Sequence, residues 1–501
     1  MILVAVTINQ WTYSTLYAQF TSGSIVGIVY DPTGAAVPNC TVTAMDIATG
    51  AVRSVTTGAS GYYAIPALAP DSYKLTATAS GFAVTASQIT LTLNQTLNFD
   101  FHLKVGSTSQ SVAVNASVLA LQTESHNVQD LINAHSIENL PANGRDLFQT
   151  LQAGTNTAPF QNAPGPINVF RTTGNSLTIG GSASGTTTYL EDGVTNFTLL
   201  TKTANFQPSI ESVQEVNITQ NGASARFDEP SVVNVITKSG SNQFHGRAYD
   251  YLRNDALDTV GYFNVPKPPL RYNQFGANIG GPIIRNKLFF FFDYAGLRES
   301  QGTTLFDFVP TAAERKGNFS QDAFTIYDPL TYNPQTGAIS PFPNNTIPAS
   351  RLSAFATKFL AYYPLPTPSV ISNLNFQENV NNTTSYDSYL GRMDYTIGPH
   401  DTAYGSYAST NPSILNPSFS PNSAFTYLNV QTARNGYVQE THSFNPNVVN
   451  IARFGYNHSN IGFTTVGTGS QNFVKAFGLQ NLNPAPARRH IDRGLVSHRP
   501  G

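Results

Sequence analysis

Several stretches of this chain alternate hydrophobic and polar residues with period two. Ile89, Leu91 and Leu93 alternate with Thr90, Thr92 and Asn94. Leu97, Phe99, Phe101 and Leu103 then alternate with Asn98, Asp100 and His102. Such alternation predicts strands with one core face and one wet face. The densest run is LFFFFDYA, residues 288–295. Read with period two, Leu288, Phe290, Phe292 and Tyr294 share one face. Phe289, Phe291, Asp293 and Ala295 share the other, and only the first face is free of charge. Two settings fit the run: a buried sandwich strand, apolar on both faces, or a strand with one face to lipid and one to a lumen.

The punctuation between such runs divides the chain into three zones. In 24–105, turn clusters recur about every ten residues, at Asp31-Pro32-Thr33-Gly34, Ala48-Thr49-Gly50, Ala59-Ser60-Gly61 and Ala69-Pro70-Asp71. That spacing predicts a β-sandwich of about seven strands, with Leu91, Leu93, Phe99 and Phe101 inward. In 106–240 the pattern is mixed. NVQDLINAHSIENLP spaces Val128, Leu131, Ile132, Ile137 and Leu140 near the helical period, so a helix ending at Pro141 is expected. Val213, Val216 and Ile218, and VVNVITK over 232–238, predict strands. In 241–487, Tyr-rich hairpins flank Arg285-Asn286-Lys287, Gly398-Pro399-His400 and Asn445-Pro446-Asn447. Seven strands are expected there, near 244–253, 272–284, 287–298, 385–396, 402–409, 432–444 and 447–459. A loop over 299–384 interrupts them.

Composition narrows the choice. Charged residues make up only 11% of the 501, less than half the ~25% usual in soluble domains. Tyr 24 and Phe 32 stand against a single Trp. The net charge of −2 gives no reason to expect nucleic acid. No stretch of ~18 apolar residues exists, which argues against a transmembrane helix and leaves spanning strands open. Cys40 is the single cysteine and is read as a buried strand residue.

The residues of 24–105, from GSIVGIVYDPTGAAVPNCTVTAMDIATG to SGYYAIPALAPDSYKLTATASGF, resemble the carboxypeptidase-regulatory-like domain, a transthyretin-like sandwich without catalytic residues of its own. LPANGRD (140–146), YLEDGV (189–194), IESVQEVNI (210–218) and VVNVITKSGSNQFHG (232–246) follow in order. They resemble the plug of TonB-dependent outer-membrane receptors of the Oar-like branch. ARFDEPSVVNV departs from the glycine-rich stretch expected before the valines. Inside the long loop, VPTAAERKGNFS, IYDPLT and IPASRLSAFATKFLAYYP add to the likeness. The resemblance implies a mainly β chain: an N-terminal β-sandwich, a mixed α+β plug, and a partial antiparallel transmembrane β-barrel. It implies a TonB-dependent receptor in the outer membrane of a Gram-negative-type bacterium, sandwich and plug on the periplasmic side. Its partners would be outer-membrane lipid, a TonB-type energy-coupling protein, and an extracellular solute: peptide, glycan or metal chelate. Leu288, Phe290, Phe292 and Tyr294 would then face lipid. SVAVNAS (111–117), with Val112 and Val114, is the candidate TonB-contact segment, and it reads equally as the last strand or linker of the sandwich. Asp293 is expected hydrated in the lumen, and Phe289 and Phe291 against the plug or just inside the wall.

The termini carry expectations of their own. Residues 1–23 read as a degraded signal peptide or an ordinary leader, lacking a basic start. Residues 488–501 gather four arginines without alternation and read as an aberrant tail of a truncated receptor. Catalytic chemistry finds no support. The nine histidines show no H-x-H or H-E-x-x-H spacing, and IGGSASG lacks a strand–nucleophile–helix setting. Glu191-Asp192 is read as a solvated turn, and Arg145–Asp146 as an ion pair. No enzyme, metal or cofactor is expected. The rival to a transporter is a surface-binding or adhesive protein on a membrane anchor.

Overall fold

In the computed structural model, residues 22–106, 111–114, 128–140, 145–152, 157–159, 177–183, 185–199, 202–220, 222–223, 227–259, 267–369, 371, 373–416, 426–445, 448–465 and 473–479 are described. Residues 1–21, read as a leader, residues 115–117 of the candidate coupling segment, the Pro446-Asn447 turn and the tail from 480 lie outside them.

The first unit is a two-sheet sandwich. Its strands are β1 (Gly23–Tyr30), β2 (Thr41–Asp46), β3 (Val52–Thr56), β4 (Tyr62–Leu68), β5 (Asp71–Thr78), β6 (Val84–Leu91), β7 (Thr96–Asn98), β8 (Phe101–His102) and β9 (Ser111–Val114). One sheet runs β4-β1-β7 with β8 also on β1, and the other runs β3-β2-β5-β6-β9. The alternation is strict: β1 buries every second residue. Leu91, Leu93, Phe99 and Phe101 are all buried, and Cys40 is fully so. Asp31 closes the first turn, its Oδ1 accepting from the Thr33 and Ala35 amides at 2.8 and 2.9 Å.

The second unit comprises β10 (Val128–Asn133), α1 (Ala134–Asn139), α2 (Leu147–Leu151), β11 (Thr157–Pro159), β12 (Leu177–Ile179), β13 (Thr187–Glu191), β14 (Val194–Thr195), β15 (Val213–Gln220) and β16 (Ser231–Thr237). Its main sheet is ordered β10-β15-β16-β13-β14. The helix expected from Val128 begins only at Ala134. Residues 128–133 instead pair antiparallel with β15, from Val128↔Gln220 to Asn133↔Glu215. A six-residue run with mixed spacing is ambiguous by periodicity, and the free edge of β15 decided it. Asn133 marks the switch by capping α1, its side chain accepting from the Ser136 amide at 2.9 Å.

The third unit is one antiparallel sheet. It contains β17 (His245–Asn254), β18 (Leu270–Ile284), β19 (Leu288–Asp307), β20 (Phe376–Thr396), β21 (Asp401–Thr410), β22 (Ser413–Asn416), β23 (Tyr427–Asn445) and β24 (Val448–Thr465). β21 and β22 both pair with β20 and β23, lying end to end between them and separated at Asn411-Pro412. Pro412 cannot donate to the ladder, so one ribbon becomes two strands. β17 and β24 are the edges. The loop over 299–384 is shorter than expected. β19 and β20 stay paired from Leu288↔Tyr395 to Asp307↔Phe376, leaving 308–375 between them. Those extra pairs are mostly Thr, Asn, Gln and Glu, so hydrophobic alternation did not mark them. Short α3 (Ala354–Leu360) lies in that loop, and α4 (Phe473–Phe477) follows β24.

Phe289, Phe291, Asp293 and Ala295 are buried. Their neighbours Leu288, Phe290 and Tyr294 are half-buried, and Phe292 is exposed. Ile283, Tyr389, Met393, Tyr407, Val438 and Phe454 extend the exposed apolar face across β18–β24.

Candidate functional site

The second unit leans on the buried face of the large sheet, and the contact centres on YLEDGV. β13 and β14 form a hairpin whose two turn residues, Asp192 and Gly193, have φ of 47° and 76°. Two successive positive φ values favour an Asp-Gly turn, because Asp tolerates the left-handed region and glycine enters it freely. The turn drives two acids against the wall. Glu191 and Asp192 are each only 1% exposed. The solvated turn expected from sequence is therefore corrected: the wall strands cover it.

Arg392 on β20 is the hub. Its Nη1 donates to Asp192 Oδ1 at 3.1 Å and to the Thr237 carbonyl at 2.9 Å. Its Nε and Nη2 hold Asp394 at 3.0 and 2.8 Å. The guanidinium also lies 5.0 Å from the Tyr404 ring centroid. The Tyr437 hydroxyl on β23 donates to Asp192, as do the Thr237 amide and hydroxyl at 3.1 and 2.7 Å. Asn435 Nδ2 donates to Glu191 Oε2 at 2.6 Å. From β24, Arg453 Nη1 donates to the Gly193 carbonyl at 2.7 Å and Asn457 Nδ2 to Thr195 at 3.0 Å. Gly455 lets β24 come this close: a Cβ there would lie 2.4 Å from a Val194 methyl.

The charges are arranged unevenly. Asp192 has a cation and three donors. Among the described residues Glu191 has one donor, and its Oε1 lacks a partner. Burial first, and the Asp192 charge second, push the Glu191 carboxyl up to about 8. Burial therefore favours the protonated form of Glu191, while Asp192 faces Arg392.

Further contacts lie along the same interface. Ser209 Oγ donates to Asp293 Oδ2 at 2.8 Å, so Asp293 is buried against the second unit rather than hydrated. Phe291 packs with Phe206, Leu390 and Ala408, the expected contact between the phenylalanine run and the second unit. Arg145 pairs with Glu211, not with Asp146, and lies 4.5 Å from the Tyr251 ring centroid. Asp146 instead caps α2, accepting from the Gln149 amide at 3.1 Å. Glu138 receives Lys238 at 2.7 Å and Arg247 of β17 at 2.9 Å.

Sequence reasoning missed Arg392, Asn435, Tyr437 and Arg453. A signal existed for the first. Arg392 lies opposite Phe291, and Asp394 opposite Phe289, so charges two apart on β20 share the inward face. The candidate coupling residues Val112 and Val114 lie on β9, paired parallel with β6 at Thr85 and Ser87. The segment is thus the end strand of a sandwich sheet. Asp401, Glu440 and His442 bring ligand atoms within 4.8 Å of one another, the one such group among the described residues. They are half-exposed near the turn ends of β21 and β23, and His442 Nδ1 already meets Asp401 at 2.6 Å.

The arrangement seats one folded unit against another through charge-assisted hydrogen bonds. The carboxypeptidase regulatory-like domain family matches residues 24–104. The TonB-dependent transporter Oar of Myxococcus xanthus is 29% identical over 306 residues, covering 56% of this chain and 27% of that protein. The chain thus spans about a quarter of the length of this curated relative. The outer membrane transporter YddB from Escherichia coli is similar in structure at a TM-score of 0.44 and 9% identity, over 68% of this chain and 40% of that one. A mutant of the ferric enterobactin receptor PfeA from Pseudomonas aeruginosa gives 0.37 and 13%, over 66% and 40%. The outer membrane beta barrel domain family matches residues 236–495, more than half of the sequence, and the chain belongs to that family and to the outer membrane.

Proposed function

We propose that the protein acts in TonB-dependent transport of an extracellular solute across the outer membrane. The observation that carries this reading is the seating of the Asp192-Gly193 hairpin against the wall through Arg392, Tyr437 and Asn435. A transporter's plug needs two states of similar free energy, and polar seating supplies a contact that force can release. In this reading Leu288, Phe290, Phe292 and Tyr294 face lipid, and the sandwich and plug lie on the periplasmic side. Val112 and Val114 form the coupling segment. Among the described residues β9 ends its sheet, so a TonB-type strand adds at that edge or replaces β6 as its partner. The solute belongs to the peptides, glycans or metal chelates.

Removal of residues 111–117 tests the reading. The expected result is loss of solute uptake with surface binding retained. Uptake that persists overturns it, and binding without any uptake by the intact chain favours an adhesive protein. Growth on defined peptides, glycans and chelates, with and without the gene, identifies the solute class.

A further inference from the structure

Beneath the Arg392 contact lies a cavity of about 490 Å³ with walls from all three units. Its lining includes Asp192, Lys238, Arg392 and Asp394, with Asp46 and Asp71 from the sandwich. We propose that the sandwich is a detachable lid on this chamber, a second closure in series with the plug. For its purpose the inference rests on the transporter reading.

Three observations support it. First, the lid is fastened at separate points. Asn242, on the chain between plug and wall, donates through its backbone to Ala48 at 2.9 Å and through Nδ2 to the Thr49 carbonyl at 2.7 Å. The same side chain exchanges two hydrogen bonds with Asn286 in the β18–β19 turn, at 2.7 and 2.8 Å. Arg53 on β3 donates to the Pro399 carbonyl and lies 3.5 Å from Thr402 Oγ1, reaching the β20–β21 turn. Glu215 on β15 accepts from the Leu93 amide at 2.8 Å.

Second, the fasteners are polar, and the cores stay apart. The sandwich has one hydrophobic cluster composed of its own residues, and the plug has another. Two bodies with separate cores and a hydrogen-bonded seam separate without unfolding, as interdomain contacts of this kind do.

Third, the chamber is built for passage rather than packing. Its volume falls in the ~300–1,000 Å³ range of small-molecule sites. Its lining carries both signs of charge, from Arg53, Lys238 and Arg392 to Asp46, Asp71 and Asp394. Such walls suit a small hydrogen-bonding solute, neutral or zwitterionic, over a polyanion. A solute passing the released Asp192 hairpin arrives here, and the sandwich stands between it and the exit.

Thiol labelling of the full chain tests the lid without a solute. Ser239 lines the chamber, and Cys40, fully buried in the sandwich core, reports whether the lid stays folded. In Ser239→Cys, a small methanethiosulfonate reagent is expected to react, and a maleimide on a long polyethylene glycol chain to react slowly. Adding Arg53→Ala and Glu215→Ala removes two fasteners. The large reagent should then react about tenfold faster or more, with Cys40 still unlabelled. Equal rates with and without the fasteners overturn the lid. If the alanine pair exposes Cys40, Asn242→Ala, which removes the Thr49 fastener and lies outside both cores, is the deciding variant, with the same two outcomes. The labelling result is separate from uptake loss on removal of 111–117, so failure of one reading is distinguishable from failure of the other.

Discussion

Arg392→Ala is the sharpest perturbation of the contact that seats the Asp192 hairpin on the large sheet. The Arg392 side chain is 10% exposed, and the Asp192 side chain beside it 2%. The substitution leaves Asp192 with its Thr237 and Tyr437 donors and no cation. Asp394 also loses its partner, but at 23% exposed it recovers some water. Breaking a buried pair by removing one partner costs about 3–5 kcal/mol, because the other charge stays buried. At 1.36 kcal/mol per decade, the seated state should lose a factor of about 10² to 10⁴. Hydrogen exchange in detergent reads this directly. The β13 amides, bonded to β16, should exchange faster by that factor, while β19 and β20 keep their protection. Arg392→Lys should fall between, since a point charge cannot hold Asp192 and Asp394 in two directions at once. Pairing Arg392→Met with Asp192→Asn should restore much of the loss by removing both charges. If Arg392→Ala leaves β13 exchanging at the wild-type rate in a folded sheet, the guanidinium does not hold the hairpin.

Glu191→Gln addresses the neighbouring acid. Burial raises its carboxyl to about 8, so seating favours the protonated form; that contribution is complete below the ordinary carboxyl value of 4.5 and lost as pH rises through 8. Protection of β13 should therefore fall with pH in the wild type and fall less steeply in the variant; identical slopes would count against the buried carboxyl. Phe290→Arg on the outward face should cost about 2–4 kcal/mol if the position sits near the bilayer midplane. Folding titrations into lipid vesicles measure it, and a neutral result would move residue 290 out of the hydrocarbon. Phe99→Asp should unfold the sandwich by burying an unpaired charge at a core position. Circular dichroism melts of a 24–105 fragment check it, and an unchanged melt would mean that the strand register is wrong.

The sequence determined the parts of this protein whose signal is local. Period-two alternation found the strands of the sandwich and of the large sheet, because a half-buried strand repeats its environment every second residue. It sorted Phe289, Phe291 and Asp293 onto one face for the same reason. Turn residues fixed the hairpins, as Asp192-Gly193 does through its own backbone preference. Wherever a non-local partner decided the outcome, local reading failed. Residues 128–133 became a strand because β15 offered an edge. The polar pairs beyond Glu299 became strand because β20 lay beside them. Glu191 and Asp192 looked like a wet turn, and only the packing of one unit against another removed the water. Arg392, Asn435, Tyr437 and Arg453 lie some 200 or more residues from the hairpin they hold. Burial and charge pairing are properties of the assembled surfaces, so the seat and the chamber below it exist only in the tertiary structure.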